Sequence, residues 1–196
     1  MTTADTKPQS LTKSRVLAAA RICFAKDGFH GASMKSICKA SDMSPGTLYH
    51  YFPSKEALIQ EIILEDQSRA FARFAEEALG DDIVGKTIDN MIAVLEEDRA
   101  QRSLVLEIMA EGMRNPVVAD MLHRKYDAII ELVISHLKIG QQQGLINQNV
   151  DLNAAAGLLL SLTYGILADT NLSTTTTPDR LRLTLTAMIN GLFNIK

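Results

Sequence analysis

The sequence predicts an all-α fold in which a small basic N-terminal module precedes a larger acidic helical body. Three observations carry this expectation. Apolar residues recur at three- and four-residue spacings along almost the whole chain, and no stretch alternates long enough to compete as a strand. Helix punctuation recurs with them: serine caps, prolines at first helical positions, and glycine or asparagine at stops. The charge is divided, because residues 1–55 hold eight Lys and Arg against three Asp, a net +5, so the overall −3 leaves −8 on the remainder. With 196 residues, 46% of them hydrophobic, the chain can bury a substantial core.

Residues 1–10 are polar and read as a flexible arm, in which Lys7-Pro8 is either a phosphate or minor-groove contact or part of a loose tail. From 11 to 27, Val16, Leu17, Ala20, Cys23 and Phe24 fall on one helical stripe; Gly28 stops the helix and Phe29 folds in behind it. Ser33 caps a second helix whose Ile37 and Cys38 point inward, and Ala40-Ser41-Asp42-Met43 is a tight polar turn. Ser44-Pro45 then restarts the chain as cap and first helical residue. Leu48 and Phe52, four apart, turn to the core, which leaves Gly46, Thr47, Tyr49 and His50 facing outward near the helix start. Two short helices joined by a tight turn, the second presenting its N-terminal residues, make a helix-turn-helix suited to a DNA groove.

Pro53 and Ser54 break the chain, and a long helix starts at Ser54-Lys55-Glu56-Ala57, running to about residue 79 before Gly80-Asp81-Asp82. Lys55 sits in the first turn against the dipole preference, a position that calls for an anion such as a DNA phosphate. The body continues with helices expected at about 82–98, 100–114, 117–143, 151–170 and 178–194. They are separated at Asp98, Asn115-Pro116, Gly144 with Asn147 and Asn149, and Ser173 to Thr177 before Pro178. The last two are apolar on more than one side and must be covered all round, so a homodimer interface is expected from about 153–169 and 180–193. The organisation is therefore an arm (1–10), a reading domain (11–55) and a body (56–196).

The polar N-terminus has no signal-peptide core and no run reaches membrane-spanning length, so a cytoplasmic protein without membrane partners is expected. Cys23 and Cys38 each lie in an apolar helical pattern and read as buried thiols rather than a disulfide or metal framework. There is no nucleophile elbow, Gly-rich phosphate loop or Cys/His metal spacing, and His30, His50, His123 and His136 are not paired as ligands. No catalytic residue, metal or cofactor is expected. A basic head on an acidic body is the footprint of a DNA reader joined to something else, and counts against a non-specific architectural binder, which needs basic charge throughout.

The segment GFHGASMKSICKASDMSPGTLYHYFPSKEALI, residues 28–59, resembles the N-terminal domain of the TetR family of transcriptional regulators. The matching positions are Ser44, Gly46, Thr47, Leu48, Tyr49, Tyr51, Phe52, Ser54, Lys55, Glu56 and Leu58, within about a sixth of the chain. The resemblance implies a three-helix helix-turn-helix domain and a helical C-terminal domain that binds a small effector and dimerises through its last two helices. It also implies a palindromic double-stranded DNA operator, met through Ser33, Ser44, Gly46, Thr47, Tyr49, His50 and Lys55. The body stretches SKEALIQEIILEDQ, LVLEIMAEGMRNP and LTYGILAD resemble the glucuronide-responsive repressors of this family, which implies a glucuronide as the effector that releases DNA. An unrelated lipophilic ligand is the alternative.

A sugar acid needs a cation for its carboxylate and donors and acceptors for its hydroxyls within an apolar cavity. Glu107 interrupts an apolar run and either faces a pocket or joins Glu111 and Arg114 in one solvated stripe. Lys125, four before Ile129 and seven before Leu132, is the best inward cation, and Tyr126 either offers a hydroxyl or fills core. Tyr164 lies on an apolar face near Thr163 and Asp169, so it is either packing or part of a polar pocket. Arg73 shares a face with Arg69, Glu76 and Glu77, either as a surface ion-pair stripe or as a carboxylate ligand.

Overall fold

A computed structural model of the chain describes residues 6–77, 83–169 and 175–193, with side chains over 11–72, 84–169 and 175–193. Residues 1–5 of the expected arm, the expected stop at 80–82, part of the Thr-rich segment and the side chain of Arg73 lie outside the described residues. Among the described residues there are nine helices and no strand. They are α1 (Thr6–Gly31), α2 (Met34–Ser41), α3 (Pro45–Tyr51), α4 (Lys55–Glu77), α5 (Ile83–Ala93), α6 (Arg99–Gly112), α7 (Pro116–Gln142), α8 (Leu152–Ala168) and α9 (Pro178–Phe193). The chain divides into two compact units.

The first unit comprises Met1–Asp66 and Arg99–Arg124, so it takes in the start of α4 and all of α6 as well as the three N-terminal helices. Helix α1 already begins at Thr6, inside the stretch expected to be an arm. It packs on α2 and on α6. The expected stop at Gly28 is a sharp kink, with φ 70° and ψ 172°, after which one further helical turn carries the buried Phe29. Helix α2 begins with a reciprocal capping box between Ser33 and Ser36 and ends at Asp42, which adopts the left-handed conformation (φ 53°). That single turned residue brings Ser44 and Pro45 to the start of α3. Val16, Ala20, Phe24, Ile37, Leu48 and Phe52, which the helical spacing picks out, are all but fully buried, as are Leu58 and Ile62 of α4.

The second unit comprises Gln67–Asp98 and Lys125–Lys196, in which α5 packs on α8 and α9. Helix α5 stops at Ala93, earlier than expected, because the chain tightens into turns at Leu95 and Glu96. Gly144 (φ 75°) makes the turn after α7, and Gln141 Nε2 donates to the carbonyls of Asn147 and Val150 to hold it. Asp151 caps α8 through the amides of Asn153 and Ala154. Arg182 on α9 pairs with Asp89 on α5. Leu159, expected in an interface, is instead buried within the chain, since α8 turns Ala155, Ala156, Leu159, Ile166 and Leu167 inward; its neighbour Leu158 is 58% exposed. No described helix is long and apolar enough to cross a membrane.

Candidate nucleic-acid interface and effector site

The outward residues of α3 stand as the spacing requires. Gly46, Tyr49 and His50 are exposed, Tyr49 by 53%, while Leu48 beneath them is fully buried. Ser44 Oγ accepts from the Thr47 amide at 3.1 Å and shares a 2.8 Å hydrogen bond with the Thr47 hydroxyl, so Thr47 is braced and half-buried. Ser33 Oγ is spent in the same way on the Ser36 amide at 3.0 Å. Both serines thus fix helix starts, and the first turn of α3 is rigid before any partner arrives. A cleft of about 400 Å³ between α2 and α3 is lined by Lys35, Lys39, Pro45 and Tyr49 among others. The two lysines are exposed, and sequence reasoning counted them only as charge, because the cleft that they share with α3 exists only in the folded chain.

Lys55, expected to face a phosphate, has partners within the chain. Its Nζ donates to the carbonyls of Phe29 at 2.5 Å and Ala32 at 3.0 Å, and lies 4.3 Å from the Phe29 ring centroid. In place of an anion, the Lys55 ammonium meets carbonyl oxygens at and just beyond the C-terminal end of α1, a favourable place for a cation.

Glu107 is likewise neither a pocket carboxylate nor part of a solvated stripe. Its Oε1 accepts the Phe29 amide at 2.7 Å, directly across from Gly28. Glu111, read with it as solvated, is 2% exposed and bonds His30 Nε2 at 3.1 Å and Arg114 Nη2 at 3.3 Å. A third polar link ties α6 to this unit. Arg21 donates to Gln101 Oε1 at 3.1 Å and pairs with Glu65 at 2.6 Å, and Gln101 reaches the buried Asp66 at 3.3 Å. Sequence reasoning missed this set, because each member looks like a surface charge until its partner is in place.

In the second unit the structure brings two of the candidate effector residues, Tyr126 and Tyr164, together. Lys125 is buried, and the adjacent Tyr126 packs its ring against Tyr164 edge to face, with centroids 5.4 Å apart. Burial pushes the Tyr126 phenol up from its ordinary value, and a hydrogen bond to Tyr164 partly offsets the rise. Thr163 turns its hydroxyl back to the Leu159 carbonyl of its own helix. Asp169 caps the end of α8 and is exposed, five residues beyond Tyr164.

A capped helix-turn-helix head on a helical body defines a DNA-binding transcriptional regulator, a protein that works by binding rather than by chemistry. The chain belongs to the TetR family of bacterial regulatory proteins: the family model "Bacterial regulatory proteins, tetR family" matches residues 16–62, and "BetI-type transcriptional repressor, C-terminal" matches residues 83–194. It is 48% identical over 181 residues to the HTH-type transcriptional regulator UidR of Escherichia coli K12, covering 92% of each chain. The solved structure of Salmonella enterica GusR superposes with a TM-score of 0.91 at 51% identity, over 97% of this chain and 98% of that one. FadR of Bacillus subtilis, solved with stearoyl-CoA, shares the fold at a TM-score of 0.79 and 17% identity, over 91% of this chain and 98% of that one.

Proposed function

We propose that this regulator is a cytoplasmic homodimeric repressor of a palindromic operator, released when a glucuronide or related sugar acid binds its body. The observation that carries the effector reading is the Tyr126–Tyr164 pair, with the buried Lys125 adjacent to Tyr126 in sequence. A buried cation on the same helix as one of two paired phenols suits a ligand with one carboxylate and several hydroxyls. The resemblance of the body to glucuronide-responsive repressors points the same way. The homodimer is supported by Leu158 of α8 and Leu183 and Met188 of α9, which stand 58%, 72% and 51% exposed on otherwise apolar helices. The reading head is assigned to Ser33, Ser44, Gly46, Thr47, Tyr49 and His50, with Lys35 and Lys39 beside them.

The test is calorimetric titration with a glucoside and a glucuronide of one aglycone. A charge-assisted pair contributes roughly 1.5–3 kcal/mol, so the glucuronide should bind about tenfold to a hundredfold more tightly. Lys125→Met should remove most of that difference. Equal binding of the two sugars refutes the sugar-acid reading, and tight binding of a lipophilic cation alone replaces it.

A further inference from the structure

One residue, Phe29, has its backbone gripped from two helices. Glu107 of α6 accepts its N–H at 2.7 Å, while Lys55, in the first turn of α4, donates to its carbonyl at 2.5 Å and covers its ring. The grip depends on Gly28. Its φ of 70° with ψ of 172° belongs to a region that glycine alone adopts without strain, and a Cβ there would stand 3.0 Å from Glu107 Oε1. Four residues later the chain enters the Ser33 cap of α2, and α2 leads through the Asp42 turn into α3. Helix α4 runs on from Lys55 past Asp66, where the second unit begins, to Glu77.

We propose that Glu107 is a positioning residue for DNA recognition: its carboxylate on the Phe29 N–H, with the Lys55 ammonium on the Phe29 carbonyl, fixes the corner between α1 and α2 and so the presentation of α3. The corner is then the point at which a displacement of α6 or α4 changes operator affinity without touching a DNA-facing residue. Two charged groups from different helices, bonding the N–H and the carbonyl of one residue, make a hold that is lost when either is withdrawn. The inference rests on α3 being the DNA-reading helix and is independent of the identity of the effector.

The test uses the full-length protein, a duplex that it selects from random sequence, and a random duplex. Glu107→Ala should weaken binding to the selected duplex by about tenfold or more, the scale of one lost charge-assisted hydrogen bond, and leave the random duplex within about threefold. Glu107→Asp, which withdraws the oxygen by one methylene but keeps the charge, should behave like the alanine variant and guards against a protein that fails to fold. Glu107→Gln retains an acceptor oxygen and should restore selectivity to within about threefold of the parent. Selectivity unchanged in the Asp and Ala variants, or an equal loss on both duplexes, overturns the proposal. A parent protein that selects no duplex at all overturns the DNA-reading function with it.

Discussion

Replacing Lys55 with methionine separates two roles that the same residue could play. The aliphatic stem is kept, and what is lost is two hydrogen bonds from an ammonium, to Phe29 O and Ala32 O, and its stacking 4.3 Å from the Phe29 ring. Charge-assisted hydrogen bonds contribute roughly 1.5–3 kcal/mol each, and a cation over an aromatic ring about 0.5–1 kcal/mol at an accessible site. Lys55 is only half-buried, so water re-solvates part of what is freed, and a net cost of about 2–3 kcal/mol follows. Urea denaturation should show a lower midpoint with an unchanged slope against denaturant, and Tm should fall by roughly 5–10 °C. Operator binding between low and moderate salt should keep its log–log slope, because no phosphate contact has been removed. The opposite pattern refutes the assignment: stability within about 0.5 kcal/mol of the parent, with a slope reduced by about 0.9, is what a phosphate ligand would give.

Three further outcomes are expected. Substituting Thr47 or His50 should shift the preferred duplex sequence in a selection experiment, whereas Lys35→Ala should weaken selected and random duplexes alike. Leu158→Glu and Leu183→Glu should each move the protein from dimer to monomer in light scattering, because these exposed side chains would otherwise place a carboxylate in an apolar interface; Leu159→Glu should instead unfold the body. For Tyr126 the folded phenol titrates above its ordinary value of 10.0, so the stability it contributes is present below that pH and lost as pH rises through the folded value. Tyr126→Phe should therefore flatten the alkaline limb of a stability–pH curve, and an unchanged limb would show the phenol to be solvated.

The local features of this chain were legible in its sequence because they are decided within a few residues of themselves. Ser33 and Ser44 satisfy amides three positions on, Gly28 is required by its own backbone angles, and Leu48 and Phe52 turn inward by helical periodicity alone. The same periodicity placed Lys125 on a buried face and Tyr126 and Tyr164 each on an apolar face of its own helix, although it could not say that the two rings touch. Only the tertiary structure decided what lies opposite each face. Periodicity gives a side chain's angle about its own helix and carries no information about the neighbour it meets, so Leu158 and Leu159 were equally eligible for an interface until α8 was seated. Glu107 and Lys55 show the limit most sharply: a carboxylate in an apolar run and a lysine at a helix start both lacked partners in sequence. Those partners are the N–H and the carbonyl of Phe29, 78 and 26 residues away, and they exist only once the kink at Gly28 has turned that backbone toward α6 and α4.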